Sequence, residues 1–157
     1  MPASSDQGGA PWAALASADR RFSLAEVVDA CGKLPPPGLR AVWTGELAQV
    51  RRAGTLVLVT EIDGEASILL TKRASTMSTH RGDWVFPGGS VHDEKGEPSI
   101  EAACRETEEE VGIGRDRIDV VGQLFSHGPI ITGFVIDVFV GVTSSLADLR
   151  PDPREVD

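Results

Sequence analysis

The chain of 157 residues has few cysteines and no long apolar segment. Cys31 and Cys104 stand far apart and form no CxxC pair, so a disulfide framework or a zinc knuckle is not supported. No apolar run approaches the roughly 20 residues of a membrane span. Residues 1–12 have neither the basic nor the apolar region of a signal peptide. We therefore expect a protein without a membrane segment, located in the reducing cytoplasm.

Basic residues are also fewer than acidic residues: the chain has 15 Lys and Arg, 24 Asp and Glu, and a formal net charge of -9. Because nucleic-acid coats neutralise phosphates with a basic surface, this balance argues against general nucleic-acid binding. A small phosphorylated ligand is still compatible with it. Eight of the acids lie in residues 93–110, where only two bases accompany them. Carboxylates at this density and at helical spacing are suited to a hard cation.

The first part of the chain differs in composition from the rest. Residues 1–17 are rich in Ala, Gly, Ser and Pro, which predicts disorder. Phe22–Ala30 has the pattern of a short amphipathic helix with Ser23 as its N-cap, and residues 35–38 form a stiff Pro-rich linker. We therefore assign residues 1–40 to a disordered N-terminus, a short helix and a linker.

The main domain is predicted over residues 41–157, and the hydrophobic content of the whole chain, 41%, is typical of a globular fold. The predicted elements are a buried strand over Thr55–Thr60, a turn at Asp63–Gly64, a return strand over Ala66–Arg73, a short strand over Trp84–Phe86, a helix over Pro98–Val111, and strands over Ile118–Phe125 and Phe134–Val142. This order favours an α/β (α+β) sandwich of helices around a mixed sheet. One central helix covers one sheet face, and the N-terminal helix is a candidate for the other.

The predicted central helix has two distinct faces. The face for the sheet contains Ile100, Ala103, Cys104, Thr107 and Val111. Glu106, Glu109 and Glu110 cluster on a different face, where three like charges repel one another. A charge run of this kind is often only a solvated surface. A bound divalent cation would instead turn the repulsion into attraction.

A glycine pair precedes this helix at loop distance. In the segment Phe86–Gly89, the absence of side chains at Gly88 and Gly89 lets backbone carbonyls approach a ligand closely. A carbonyl oxygen and several carboxylates are hard oxygen ligands suited to Mg²⁺. Arg105 lies one turn before Glu109 and is predicted to orient its carboxylate.

These residues resemble the Nudix box, G-x5-E-x7-R-E-U-x-E-E-x-G-U, where U is a bulky aliphatic residue. Gly89, Glu97 and the run from Arg105 to Ile113 carry the resemblance. The spacing from Glu97 onward fits throughout, whereas seven residues rather than five separate Gly89 from Glu97, and Thr107 occupies the first U position. The resemblance implies a Nudix-like α/β/α sandwich.

A second resemblance covers residues 69–89, which look like the signature of coenzyme A pyrophosphatases, L-L-T-x-R-[SA]-x3-R-x3-G-x3-F-P-G-G. Ser78 stands where that signature has an arginine. The ending Asp152–Val156 resembles a stretch that such relatives follow with one more strand and a helix. We therefore expect part of the fold to lie beyond Asp157.

The resemblance implies a metal-dependent hydrolase that cleaves the pyrophosphate of a nucleoside diphosphate derivative, with coenzyme A or an acyl-CoA as one substrate. The alternatives are an ADP-ribose or nucleoside triphosphate pyrophosphatase, or a non-catalytic nucleotide-binding module. The expected binding partner is the small-molecule nucleotide substrate. Neither a nucleic acid nor a membrane is expected as a partner, and the formation of a homodimer is left open. The implied cofactor is Mg²⁺ or Mn²⁺.

Residue roles follow from the same resemblance. It implies catalytic and metal-binding roles for Glu106, Glu109 and Glu110, with the Gly88 carbonyl as a further ligand and Arg105 as an orienting residue. Glu97 and Gly89 would support them. The basic residues near the Gly pair, Lys72, Arg73 and Arg81, are candidates for the substrate phosphates. By contrast, we interpret His80, His92 and His127 as loop residues, and Trp84 and Cys104 as core residues.

Overall fold

A computed structural model describes residues 14–16, 18–34, 51–76, 81–128 and 133–157. The expectations for the Pro-rich linker, the domain boundary at residue 41, Ser78 and His80 lie outside this part, as does most of the N-terminal segment. None of the helices in these ranges has the length and apolar character needed to cross a membrane.

The main sheet is mixed. Its strands are β1 (Arg51–Ile62), β2 (Glu65–Ile68), β5 (Gly88–Ser90), β6 (Asp119–His127) and β7 (Phe134–Val142). Their order is β2-β1-β7-β6, and β5 also pairs with β1. β1 and β7 are parallel, and the other pairs are antiparallel. Two short strands, β3 (Thr71–Lys72) and β4 (Trp84–Val85), form a separate antiparallel ribbon.

One face of the sheet is covered by helix α2 (Ser99–Val111). Leu56 and Leu58 of β1 pack there against Ala103 and Cys104, all nearly inaccessible to solvent. The helix approaches the sheet most closely at Gly54, where a Cβ would lie only 1.8 Å from the backbone oxygen of Ser99. The position therefore requires glycine for α2 to lie directly on β1.

The opposite face is covered by helix α1 (Leu24–Cys31). Val57 and Val59, which alternate with the leucines along β1, pack in a second cluster with Cys31. Ser23 caps the helix, as predicted, in a capping box with Glu26. The predicted α/β/α sandwich is therefore confirmed, with the N-terminal helix covering the second face.

A buried carboxylate fastens the start of α2 to the sheet. Asp137 of β7 is 3% exposed and accepts hydrogen bonds from Ser99 Oγ at 2.6 Å and Ser126 Oγ at 2.5 Å. It also forms an ion pair with Arg52 of β1. Four elements, β1, β6, β7 and α2, therefore meet at one side chain, and the position of α2 on the sheet is fixed at its first residue.

Three sequence predictions need correction. The single return strand over Ala66–Arg73 is divided: β2 ends at Ile68, the Leu69 N–H makes one further hydrogen bond to the carbonyl of Leu58 within β1, and the chain then leaves the sheet to form β3. Gly88 and Gly89, which were expected only to end the preceding strand, belong to a further strand, β5, that pairs with β1. Trp84 is 67% exposed rather than buried, because it lies on the ribbon outside the main sheet.

Candidate functional site

Three carboxylates converge beside β5. Glu106 and Glu110 lie one turn apart on α2, and oxygen atoms of both lie within 4.8 Å of each other and of an oxygen of Glu155. We call these three residues the carboxylate cluster. Glu110 is only 4% exposed, so the alternative interpretation of the helix acids as a merely solvated surface does not apply at this position.

Glu155 reaches the cluster because the last residues of the chain run across the end of α2. The Asp152 N–H donates to the carbonyl of Glu110 at 2.9 Å, and the Ala74 N–H donates to the carbonyl of Glu155 at 2.8 Å. The segment thereby links α2 to the chain that follows β3. Sequence reasoning missed Glu155, since it has no local spacing to the helix acids and only the tertiary fold brings it there.

The electrostatics of the cluster are unfavourable without a counter-charge. Burial raises the pKa of Glu110 to about 7, helped by the nearby charges of Glu106 and Glu155 and opposed by a hydrogen bond from the backbone of Gly88. Burial also raises the pKa of Glu106, although Arg105 opposes the shift. The fold thus holds acids together where ionisation of all of them is costly.

Arg105 is the cation that organises one side of this site. Its Nε donates to Glu97 at 2.9 Å, its Nη1 to Glu106 at 2.8 Å, and its Nη2 to the carbonyl of Ser90 at 3.0 Å. Its contacts with Glu109, the predicted partner, are longer at 3.4 Å. The side chain therefore ties the loop before α2 to Glu106 rather than mainly orienting Glu109.

Glu97 reaches Arg105 even though its loop is two residues longer than the Nudix pattern. The longer loop contains a 3₁₀ turn over Asp93–Lys95. The Glu97 carboxylate also accepts a hydrogen bond from the backbone N–H of His92 at 2.9 Å. The Arg105 guanidinium is the main reason that the pKa of Glu97 falls to about 2. Glu97 is therefore an ionised partner that holds Arg105 in place.

Glu109 is placed apart from the carboxylate cluster. At 100° per residue it lies about 60° round the helix from Glu106 and about 100° from Glu110. Its side chain is 52% exposed. The structure therefore brings together two of the three predicted helix acids and leaves the third at the solvent-facing edge.

A cavity of about 760 Å³ adjoins the Gly pair. Its described lining includes Arg51, Arg73, Phe86, Gly88, Gly89 and Phe134. Of the three basic residues predicted to meet substrate, only Arg73 is in that lining, and its Nε is buried without a hydrogen-bond partner. Lys72 lies opposite Trp84 on the ribbon, and Arg81 is exposed.

The donor set at the cluster fits a divalent cation. Three carboxylates supply only hard oxygen atoms, which are the ligands that Mg²⁺ and Mn²⁺ prefer. A cation there would also offset both the burial of the Glu110 carboxylate, which is the main cause of its raised pKa, and the smaller repulsion from Glu106 and Glu155. In the described part of the chain, neither His92 nor His127 belongs to such a group.

Comparisons with known proteins identify the family of this chain. The profile of the NUDIX domain family matches residues 50–157. The chain is 34% identical over 126 residues to an uncharacterized Nudix hydrolase, NudL, of Photorhabdus laumondii, covering 79% of this chain and 62% of the relative. It is 43% identical over 94 residues to NudL of Cronobacter sakazakii, covering 59% and 46%. The chain thus spans about half the length of these curated relatives.

Solved structures resemble the fold at low sequence identity. The Caenorhabditis elegans Ap4A hydrolase, a binary complex, has a TM-score of 0.55 at 23% identity, covering 69% of this chain and 76% of that one. The Nudix hydrolase RenU of M. smegmatis has a TM-score of 0.56 at 21% identity, covering 67% of this chain and 66% of that one. These likenesses concern the fold alone. From the profile match together with the NudL relatives, the chain belongs to the Nudix family.

Proposed function

We propose that the protein is a metal-dependent hydrolase that cleaves the pyrophosphate bond of a nucleoside diphosphate derivative. The observation that carries this proposal is the carboxylate cluster, with its three convergent carboxylates beside β5. A module that only binds nucleotides has no need to bury repelling acids in this way. The family's hydrolase relatives support the same conclusion.

The residues we assign to the cation are Glu106, Glu110 and Glu155, with the Gly88 carbonyl as a further ligand. Glu109 is assigned to the open side, where its exposed carboxylate faces incoming phosphates and a second cation. A bound Mg²⁺ or Mn²⁺ supplies charge neutralisation for the phosphate oxygens and an acidified water. Arg105, held by Glu97, keeps the Glu106 carboxylate oriented toward the cluster.

In the proposed reaction, the oxygen of a water molecule bonds to one phosphorus and the bridging P–O bond of the pyrophosphate breaks. The water's proton passes to a carboxylate of the site, and two phosphate products leave. Little covalent work falls to the protein, so positioning and electrostatic stabilisation determine the rate. Arg73, in the cavity wall, is assigned to the phosphates because its buried Nε has no hydrogen-bond partner among the described residues.

For the substrate, we propose a nucleoside diphosphate joined to a second group, with coenzyme A or an acyl-CoA as the first choice. The support is the signature resemblance at residues 69–89. Because the Ap4A hydrolase has a similar fold, diadenosine tetraphosphate is a further candidate substrate. ADP-ribose and nucleoside triphosphates remain the alternatives. We propose no nucleic-acid or membrane partner, and a cytoplasmic location.

A substrate panel tests the proposal. The purified chain is incubated with coenzyme A, acetyl-CoA, ADP-ribose, diadenosine tetraphosphate and ATP, each with Mg²⁺, Mn²⁺ or EDTA, and products are identified by mass. We expect cation-dependent cleavage between two phosphorus atoms of at least one compound. Binding of these compounds without turnover under every condition would instead support a non-catalytic module.

A further inference from the structure

The cavity beside the Gly pair is strongly biased in charge. Its described lining contains two arginines and no acidic residue, in a chain whose net charge is -9. The other wall residues are mainly apolar, among them Phe86, Phe134 and Ile136. A cavity of this kind is complementary to a ligand that has a non-polar body and negative charge.

One of the two arginines is held far from the carboxylate cluster. The Arg51 guanidinium lies over the ring of Phe134, with Cζ 4.0 Å from the ring centroid. Phe134 is also the residue directly opposite Arg51 across the β1–β7 pair. A side chain that stacks on its own cross-strand neighbour stays at its own level of the sheet and does not extend along the strand.

The separation can be read from the strand register. Gly89, which lies against Glu106, is opposite Gly54, three residues along β1 from Arg51. At about 3.3 Å per residue this is roughly 10 Å along the strand. An anion bound by Arg51 would therefore be a different group from a phosphate bound at the carboxylate cluster, and a single ligand that reaches both would have to be extended.

We propose that Arg51 is a specificity-determining residue that binds a second phosphate of the substrate, carried on the nucleoside outside the scissile pyrophosphate. The proposal rests on the proposed function and narrows it to nucleoside diphosphate derivatives with an additional phosphate on the ribose. Among the described residues, no acidic side chain forms an ion pair with Arg51, and its guanidinium contacts the ring of Phe134 instead.

The chemistry of the pair favours phosphate. A guanidinium presents a planar fork of N–H donors that matches two phosphate oxygens. The ring of Phe134 fixes the fork before the ligand arrives, which lowers the entropy lost on binding. Hydrogen bonds to a charged group of this type are worth roughly ten- to a hundredfold in affinity.

The experiment compares two mononucleotides that contain no pyrophosphate bond, adenosine 3′,5′-bisphosphate and adenosine 5′-monophosphate. Their affinities are measured calorimetrically for the full chain, for Arg51→Gln and for Phe134→Leu. Arg115→Gln, which removes an exposed arginine that pairs with Glu101 and is not in the described lining of the cavity, is the charge-matched control. Melting curves verify that every variant is folded.

We expect the unmodified chain and Arg115→Gln to prefer the bisphosphate by about tenfold or more. Arg51→Gln should abolish the preference and leave the affinity for the monophosphate unchanged, and Phe134→Leu should reduce the preference. A preference that survives Arg51→Gln, an equal loss of both nucleotides, or no preference in the unmodified chain would overturn the proposal. An equal loss would indicate that Arg51 stacks on the base.

A kinetic comparison separates this inference from the proposed function. With coenzyme A and its 3′-dephospho form, Arg51→Gln should raise KM for coenzyme A to that of the dephospho form while kcat is unchanged. If the chain hydrolyses neither these two compounds nor any other compound of the substrate panel but still prefers the bisphosphate in binding, the hydrolase assignment fails and the Arg51 site stands. If both are hydrolysed equally well, the Arg51 site fails and the hydrolase assignment stands.

Discussion

The carboxylate of Glu106 lies where a side chain on Gly89 would begin, since a Cβ there would stand 2.4 Å from Glu106 Cδ. Gly89 is therefore needed for α2 to place an acid directly against β5. Gly89→Ala should force Glu106 out of the cluster and lower turnover by about a hundredfold or more, because small displacements of catalytic groups have effects of this size.

The control for Gly89→Ala is Gly32→Ala at the end of α1, where the new Cβ meets only ordinary contacts at 3.5 Å. Turnover and melting temperature are measured for both variants. Gly32→Ala should match the unmodified chain. Equal turnover in Gly89→Ala and the unmodified chain would show that the close approach of Glu106 to β5 is not required.

Glu109 tests whether an exposed acid outside the carboxylate cluster takes part in the reaction. Glu109→Gln should reduce turnover by ~10³ or more through the loss of a cation ligand. Its half-exposed side chain makes only long contacts, so the melting temperature should not fall. The adjacent Glu108→Gln is the control, and similar activities for the two variants would remove Glu109 from the site.

Asp137 tests the anchorage of α2. Asp137→Asn weakens the hydrogen bonds from Ser99 and Ser126 and the ion pair with Arg52, so the free energy of unfolding should fall by about 2 kcal/mol in urea titrations. Asp148→Asn, at an exposed ion pair with Arg117, should change it by less than about 1 kcal/mol. Equal effects would show that the buried network does not stabilise the fold.

The raised pKa of Glu110 predicts a pH dependence of the metal-free chain. Because its folded pKa of about 7 exceeds the ordinary value of 4.5, the folded state binds the proton more tightly. This contribution to stability is full below the ordinary pKa and is lost as pH rises through 7. Glu97, with its pKa of about 2, acts only at more acidic pH.

In EDTA, the urea midpoint should therefore be lower at about pH 8 than at about pH 5.5, and Glu110→Gln should flatten the difference. The groups that face Glu110 are Glu106, Glu155, Arg73 and the backbone of Gly88. Addition of Mn²⁺ at about pH 8 should restore the midpoint, since a ligand that binds the folded state stabilises it. An unchanged slope in Glu110→Gln would exclude this carboxyl as the cause.

Local features of the fold could be predicted because local chemistry determines them. Helix α2 ends at Val111 with Gly112 as its C-cap, as predicted, since a glycine in this position stops a helix. Strand β7 covers Phe134–Val142, also as predicted, since a long apolar run rich in β-branched residues indicates a strand. Thr107, at an aliphatic position of the Nudix box, is fully buried because its hydroxyl donates to the carbonyl of Ala103 within the helix.

Long-range features could not be predicted. Nothing in the run from Ala66 to Arg73 marks the point where the chain leaves one sheet for the ribbon, because both halves are equally suited to a strand. Glu155 joins the cluster only through backbone hydrogen bonds to distant segments. Arg51 was overlooked because its partner Phe134 is its neighbour across parallel strands, a relationship that requires knowledge of the register.

The central claim, that Glu106, Glu110 and Glu155 hold a divalent cation, is tested most directly by anomalous scattering from a crystal soaked in Mn²⁺. We expect an anomalous peak within coordination distance of all three carboxylates, and we expect it to be lost in crystals of Glu110→Gln. A peak at His92 or His127 with none at the carboxylate cluster, or an undiminished peak in Glu110→Gln, would contradict it.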